Sequence, residues 1–120
     1  MRVLIVEDDP EINQLLAAYA QIAGFQTDCA LTGESALSHV AVETYALVIL
    51  DVMLPDIDGM EVARQLRANP ATSALPIVVL TALTAESTRR RALELGVQAF
   101  LNKPFDPDEL IRVMRKWAKG

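Results

Sequence analysis

Five short strand-like runs alternate with five amphipathic stretches along this chain, and few architectures accept that order. The runs are residues 3–6, 26–29, 47–50, 77–80 and 99–101. Three of them, Val3-Leu4-Ile5-Val6, Leu47-Val48-Ile49-Leu50 and Ile77-Val78-Val79-Leu80, are uniformly aliphatic, the pattern of strands covered on both faces. The first helix pattern spans residues 11–23, with Ile12, Leu15, Leu16, Tyr19 and Ile22 on one stripe, Pro10 suited to its first turn and Gly24 to its stop. A second follows Thr32-Gly33-Glu34-Ser35, with Ala36, Leu37, Val40 and Ala41 facing inward. The third starts near Gly59 and ends at Asn69-Pro70. The fourth covers residues 85–95 and stops at Gly96. The fifth follows Asp106-Pro107, which reads as an N-cap and an N1 proline, and carries Leu110, Ile111, Val113, Met114 and Trp117. Five strand–helix units imply an α/β fold, one domain over residues 1–120, with a doubly wound parallel sheet and the aliphatic strands at its centre.

Composition narrows the function classes. With 52% apolar residues the 120-residue chain can bury one real core. A net charge of −5 argues against a nucleic-acid-binding surface. The one cysteine, Cys29, cannot form an internal disulfide; it fits a reducing cytoplasm and reads as a small core residue. There is no signal-like start and no apolar stretch of about 20 residues that would span a membrane.

Polar residues sit at the ends of four strands. Glu7-Asp8-Asp9 follow the first, Asp51 the third and Thr81 the fourth; Asn102-Lys103-Pro104-Phe105 follow the fifth. In a parallel sheet these ends point the same way, into the crevice where open α/β sheets bind ligands. Carboxylates crowded there repel one another by several kcal/mol unless a positive charge sits among them, and Mg²⁺ is the simplest remedy. Carboxylates, a hydroxyl and an ammonium around one crevice suit phosphoryl transfer: a carboxylate serves as nucleophile, and the others neutralise the transferred group's oxygens. Taken singly, each residue has a plainer reading. Asp51 can be a turn or N-cap residue, Glu7-Asp8-Asp9 a helix cap, Thr81 a β-branched strand residue and Lys103 a solvated charge.

The motifs Val6-Glu7-Asp8-Asp9, Asp51-Val52-Met53-Leu54-Pro55-Asp56-Ile57-Asp58-Gly59, Thr81-Ala82 and Lys103-Pro104-Phe105, in this order at strand ends, give the chain its identity: along its whole length it resembles the receiver domain of bacterial two-component response regulators (the CheY-like family). The resemblance implies a flavodoxin-like, three-layer fold with strand order 2-1-3-4-5. It implies Asp51 as phosphoacceptor from a sensor histidine kinase or a histidine phosphotransfer protein. Asp8 would bind Mg²⁺ directly, with Glu7 acting through water or as a second acid and Met53 lending its backbone carbonyl. Lys103 would pair with Asp51 and then with the phosphate, and its bond to Pro104 would be cis. Thr81 and Phe100 would form the switch pair, altering the surface of the fourth helix, fifth strand and fifth helix that meets a downstream protein or effector domain.

Met53 and Leu83, two residues beyond Asp51 and Thr81, should overhang the site; apolar and flexible, they cannot position a hydrolytic water, which implies slow self-dephosphorylation. Asp56, Asp58 and Gly59 read as turn chemistry leading into the third helix. His39 reads as solvated and Trp117 as semi-exposed, while Arg89-Arg90-Arg91 is either a charged face or part of a partner surface. Gln98 and Ala99 occupy positions where winged-helix regulators resembling this chain carry an acidic pair used in dimer salt bridges; a dimer on phosphorylation therefore needs other contacts. Two rivals are weaker. An aspartyl-phosphate phosphatase would place a second Asp where Met53 stands, and a flavin-binding domain would need a Ser/Thr/Gly-rich loop where Glu7-Asp8-Asp9-Pro10 would repel a phosphate.

Overall fold

The structure, a computed structural model, describes residues 1–83 and 85–119. Ten elements alternate: β1 (Arg2–Val6), α1 (Pro10–Ile22), β2 (Gln26–Ala30), α2 (Gly33–Val42), β3 (Leu47–Leu50), α3 (Gly59–Ala68), β4 (Ile77–Thr81), α4 (Glu86–Glu94), β5 (Ala99–Asn102) and α5 (Pro107–Trp117). All neighbouring strands are parallel, in the order β2-β1-β3-β4-β5. The three aliphatic runs are therefore the three interior strands, with Ile5 opposite Ile49 and Ile49 opposite Val78. An interior strand pairs its backbone on both sides and lies under helices on both faces, so apolar side chains suit every position.

Pleating sorts those side chains into two cores. Val3, Ile5, Leu47, Ile49, Val78 and Leu80 meet Leu16, Ala17 and Ala20 of α1 and Leu110 and Met114 of α5. Leu4, Val6, Val48, Leu50, Ile77 and Val79 meet Ala36 of α2, Val62, Ala63 and Leu66 of α3 and Ala92 of α4. Thus α1 and α5 cover one face of the sheet, and α2, α3 and α4 the other. Asp9, Thr32, Asp58 and Asp106 cap α1, α2, α3 and α5 by accepting first-turn amides. Gly24 and Gly96 take φ of +99° and +67° just beyond α1 and α4, left-handed turns that a Cβ would resist. By contrast, α4 has no side-chain cap and buries only Ala92.

The structure corrects several sequence expectations. Leu15 and Ile22 are exposed, and the buried stripe of α1 is Asn13, Leu16, Ala17 and Ala20. Two alanines let the helix lie close on the sheet, and that rotation turns Leu15 and Ile22 outward. Ala41 is exposed as well; α2 buries only Gly33 and Ala36, with Leu37 and Val40 half-buried at its margin. Cys29 is exposed rather than in the core, because β2 is an edge strand that its helices cover only in part. The strands β2, β4 and β5 run one residue further than expected, which makes Thr81 part of β4 itself. Among the described residues no helix is long and apolar enough to cross a membrane.

Candidate functional site

Strand order brings the polar ends together. Because β1 and β4 flank β3, Glu7, Asp51 and Thr81 leave three adjacent strands. Val6 lies opposite Leu50, and the Asp51 amide donates to the Val6 carbonyl at 3.0 Å. Glu7 and Asp51 therefore emerge side by side. On the other flank Thr81 pairs with Asn102, and the Lys103 amide donates to the Thr81 carbonyl at 2.9 Å. Lys103 thus starts from the neighbouring strand end and reaches back across the sheet.

Its Nζ donates to Asp51 Oδ2 at 2.8 Å and also to Glu7 Oε1. Both carboxylates are buried, Glu7 2% and Asp51 5% exposed. An unpaired charge at that depth would cost several kcal/mol, and the Lys103 ammonium is the opposite charge that offsets it. Backbone amides hold the other oxygens: Met53 donates to Asp51 Oδ1 at 3.1 Å and Asp9 to Glu7 Oε2 at 3.0 Å. Burial pushes the Glu7 carboxyl up, against the opposing pull of the Asp9 amide and Lys103. For Lys103 burial acts to lower the ammonium, but the bonds to Asp51 and Glu7 outweigh it and push it up. Lys103 is a fixed cation at neutral pH.

Asp8 is exposed beside this pair. Carboxylate oxygens of Glu7, Asp8 and Asp51 lie within 4.8 Å of one another. With all three ionised, one ammonium leaves an excess of negative charge, and the donors are all hard oxygens. That set fits a divalent cation such as Mg²⁺ and suits softer, nitrogen- or sulfur-seeking metals poorly. Thr81 is fully buried; its Oγ1 accepts the Leu83 amide at 3.2 Å, which leaves the hydroxyl hydrogen free to donate. The Lys103–Pro104 peptide is cis. Phe100 is half-buried, with the Arg89 guanidinium 5.4 Å from its ring centroid. Arg91 meets Asp58 at 3.8 Å, so two of the three α4 arginines have partners on other elements. Gln98 turns inward, its Oε1 accepting the Ile77 amide at 2.7 Å.

Two residues near the site were not assigned these roles from sequence. Asn13 is buried in α1, and its Nδ2 points at the carbonyls of Ile5, Glu7 and Ala30 at 3.1–3.3 Å, stitching the ends of β1 and β2. Its sequence signal is an amide three residues before buried Leu16, on the same helical face. Asp56 does not serve α3; it accepts amides at the start of α2. Nothing in the local pattern foretells a partner more than 20 residues away.

An open parallel sheet with carboxylates, a hydroxyl and a lysine at one edge defines a class of protein built for phosphoryl chemistry. Comparison with known proteins specifies which. Residues 3–115 match the family model for the response regulator receiver domain, and the chain belongs to that family of phosphorylation-dependent switches. It is 42% identical over 109 residues to the transcriptional regulatory protein GltR of Pseudomonas aeruginosa, covering 91% of this chain and 45% of that protein. With the phosphate regulon transcriptional regulatory protein PhoB of Rhizobium meliloti it shares 37% over 121 residues, covering 98% and 53%. The chain thus spans about half the length of these relatives. Among solved structures, Thermotoga maritima TrrA in complex with Mg²⁺-BeF superposes with a TM-score of 0.86 at 34% identity, covering 97% of each chain. A response regulator from Chloroflexus aurantiacus gives 0.87 at 36%, covering 95% and 94%.

Proposed function

We propose that Asp51 accepts a phosphoryl group from a histidine on a sensor kinase or phosphotransfer protein. The single observation behind this reading is the Lys103 ammonium shared between buried Asp51 and Glu7, with Asp8 in reach of both. An Asp51 oxygen attacks phosphorus as the bond from phosphorus to the donor nitrogen breaks, leaving an aspartyl phosphate. Lys103 releases its bond to Asp51 and takes a phosphoryl oxygen, and the free hydroxyl hydrogen of Thr81 donates to another. Asp8, Asp51, Glu7 and the Met53 carbonyl would hold Mg²⁺, which when bound neutralises charge on the transferred group. As Thr81 swings toward the phosphate, Phe100 turns into the vacated space, and the surface of α4, β5 and α5 is altered for a downstream protein or effector domain. A dimer formed on that surface is one form of output. Met53, where an aspartyl-phosphate phosphatase would need a second acid, favours a switch over an enzyme acting on outside substrates.

An apolar groove supports a helical phosphodonor. Ile12, Leu15 and Tyr19 of α1 line it, together with Lys103, Pro104 and Phe105 from the segment after β5. Leu15, 46% exposed, has here a reason to face outward. A partner helix lying in this groove would carry its histidine toward Asp51. The test is incubation with acetyl phosphate and Mg²⁺ followed by intact mass: wild type should gain one phosphoryl group and Asp51→Ala none. Modification retained by Asp51→Ala would move the acceptor elsewhere.

A further inference from the structure

The loop that carries Asp51 into α3 is tied at two places. At its base the Gly59 and Leu54 amides donate to the Val52 carbonyl at 2.8 and 3.2 Å. Gly59 lies so close to the Asp51 carbonyl oxygen that no Cβ fits between them. At its tip the loop is bound to a different helix. Asp56 Oδ1 accepts the Gly33 amide at 2.8 Å and Oδ2 the Glu34 amide at 2.9 Å. Ile57 occupies the space a Cβ at Gly33 would need. The third amide of the turn, Ser35, goes to Thr32 Oγ1 at 3.0 Å. Three amides that open α2 are therefore satisfied, two of them by the distant loop, in the place where a helix best holds a carboxylate. The Glu34 and Gly33 amides hold the Asp56 carboxyl below the usual carboxylate range.

We propose that Asp56 is a positioning residue for the acidic site: by binding the loop tip to the start of α2, it fixes the Met53 main chain beside Asp51 and so sets the shape of the oxygen cluster that takes the cation. This rests on the reading of Glu7, Asp8 and Asp51 as a Mg²⁺ site. A loop closed only at its base keeps rotational freedom between Met53 and Asp58, and a second tie removes much of it. Mg²⁺ demands near-ideal octahedral geometry and is sensitive to that freedom. The Met53 amide already bonds Asp51 Oδ1, so any shift of the loop reaches the acceptor carboxylate directly.

The experiment is a Mg²⁺ titration of the full chain, followed by amide NMR shifts at Asp8 and Met53. Asp56→Ala should raise the half-saturating Mg²⁺ concentration about tenfold, as loss of a supporting contact does. Asp56→Asn, which keeps an oxygen acceptor, should fall between, and it carries the comparison alone if the alanine variant does not fold. Thr32→Ala removes the helix's own cap while leaving the loop tied, and should stay within about twofold of wild type. A wild-type value in both Asp56 variants, or an equal rise in Thr32→Ala, overturns the proposal. Wild type that shows no Mg²⁺-dependent shift overturns instead the cation site on which it rests.

Discussion

Met53 sends its side chain into solvent, 56% exposed, from a position whose amide holds Asp51 Oδ1. Leu83, half-buried against the α4 side of the core, lies just past Thr81, to whose oxygen its own amide is bonded. Neither side chain can hydrogen-bond a water for attack on phosphorus. The aspartyl phosphate should therefore persist in Mg²⁺ well beyond seconds. Replacing Met53 by Asn and Leu83 by Glu should shorten its lifetime roughly tenfold or more, since a positioned acid–base group is worth that much or more. Decay followed by intact mass measures this; a lifetime of seconds that the polar variants leave unchanged would remove the argument. The polar residues at the crevice were legible because periodicity marks where β1, β3, β4 and β5 stop, whereas the parts given to Met53 and Phe100 followed only from the family resemblance. Asn13 and Asp56 were not assigned their roles, since each acts on backbone groups distant in sequence.

Among the elements, α3 is held near its start by bonds within the helix and at its end by a side chain that acts on other parts of the fold. Near its start Glu61 takes a two-pronged bond from Arg64 at 2.6 and 2.7 Å and another from Gln65, which lower its carboxyl to about 2. A folded value below the unfolded one contributes stability above the ordinary carboxylate range and loses it as pH falls toward the folded value. Glu61→Gln should thus melt below wild type at pH 7, and the difference in Tm should close between pH 4.5 and about 2. At the other end Arg67 donates to the carbonyls of Leu95, Gly96, Ser73 and Leu75, at 2.7–3.1 Å, tying the turns before β4 and β5 to the helix. Hydrogen bonds from a charged group are worth about 1.5–3 kcal/mol each and are not additive. Arg67→Met should cost about 3 kcal/mol in urea unfolding, and Arg67→Lys most of that, because an ammonium cannot span carbonyls spread over two loops. By contrast α4, uncapped and burying one alanine, is the element a small energy can displace, as the proposed output through α4, β5 and α5 requires.

For the whole molecule, the carboxyl edge of the sheet stores like charge that folding brings together. A cation that binds there binds the folded chain alone, so it must stabilise the fold. At a hundred times its dissociation constant Mg²⁺ should add about 2.7 kcal/mol, or about 10 °C in Tm for a domain of this size. EDTA should reverse the gain, and Asp8→Asn should abolish most of it. Thermal melts with and without Mg²⁺ decide the matter; equal gains in wild type and Asp8→Asn would place the ion elsewhere.

Sequence by itself determined the α/β class, the interior position of the three aliphatic strands and the strand ends that bear Asp51, Thr81 and Lys103. These follow from a repeat of two in strands and 3.6 in helices, which are local properties of the chain. Only the tertiary structure decided which face of α1 lies inward, that Cys29 stands on an open edge, and that Asp56 belongs to α2. Those depend on how close two surfaces can approach and on which backbone amides are left without partners, and neither is set until the whole chain has packed.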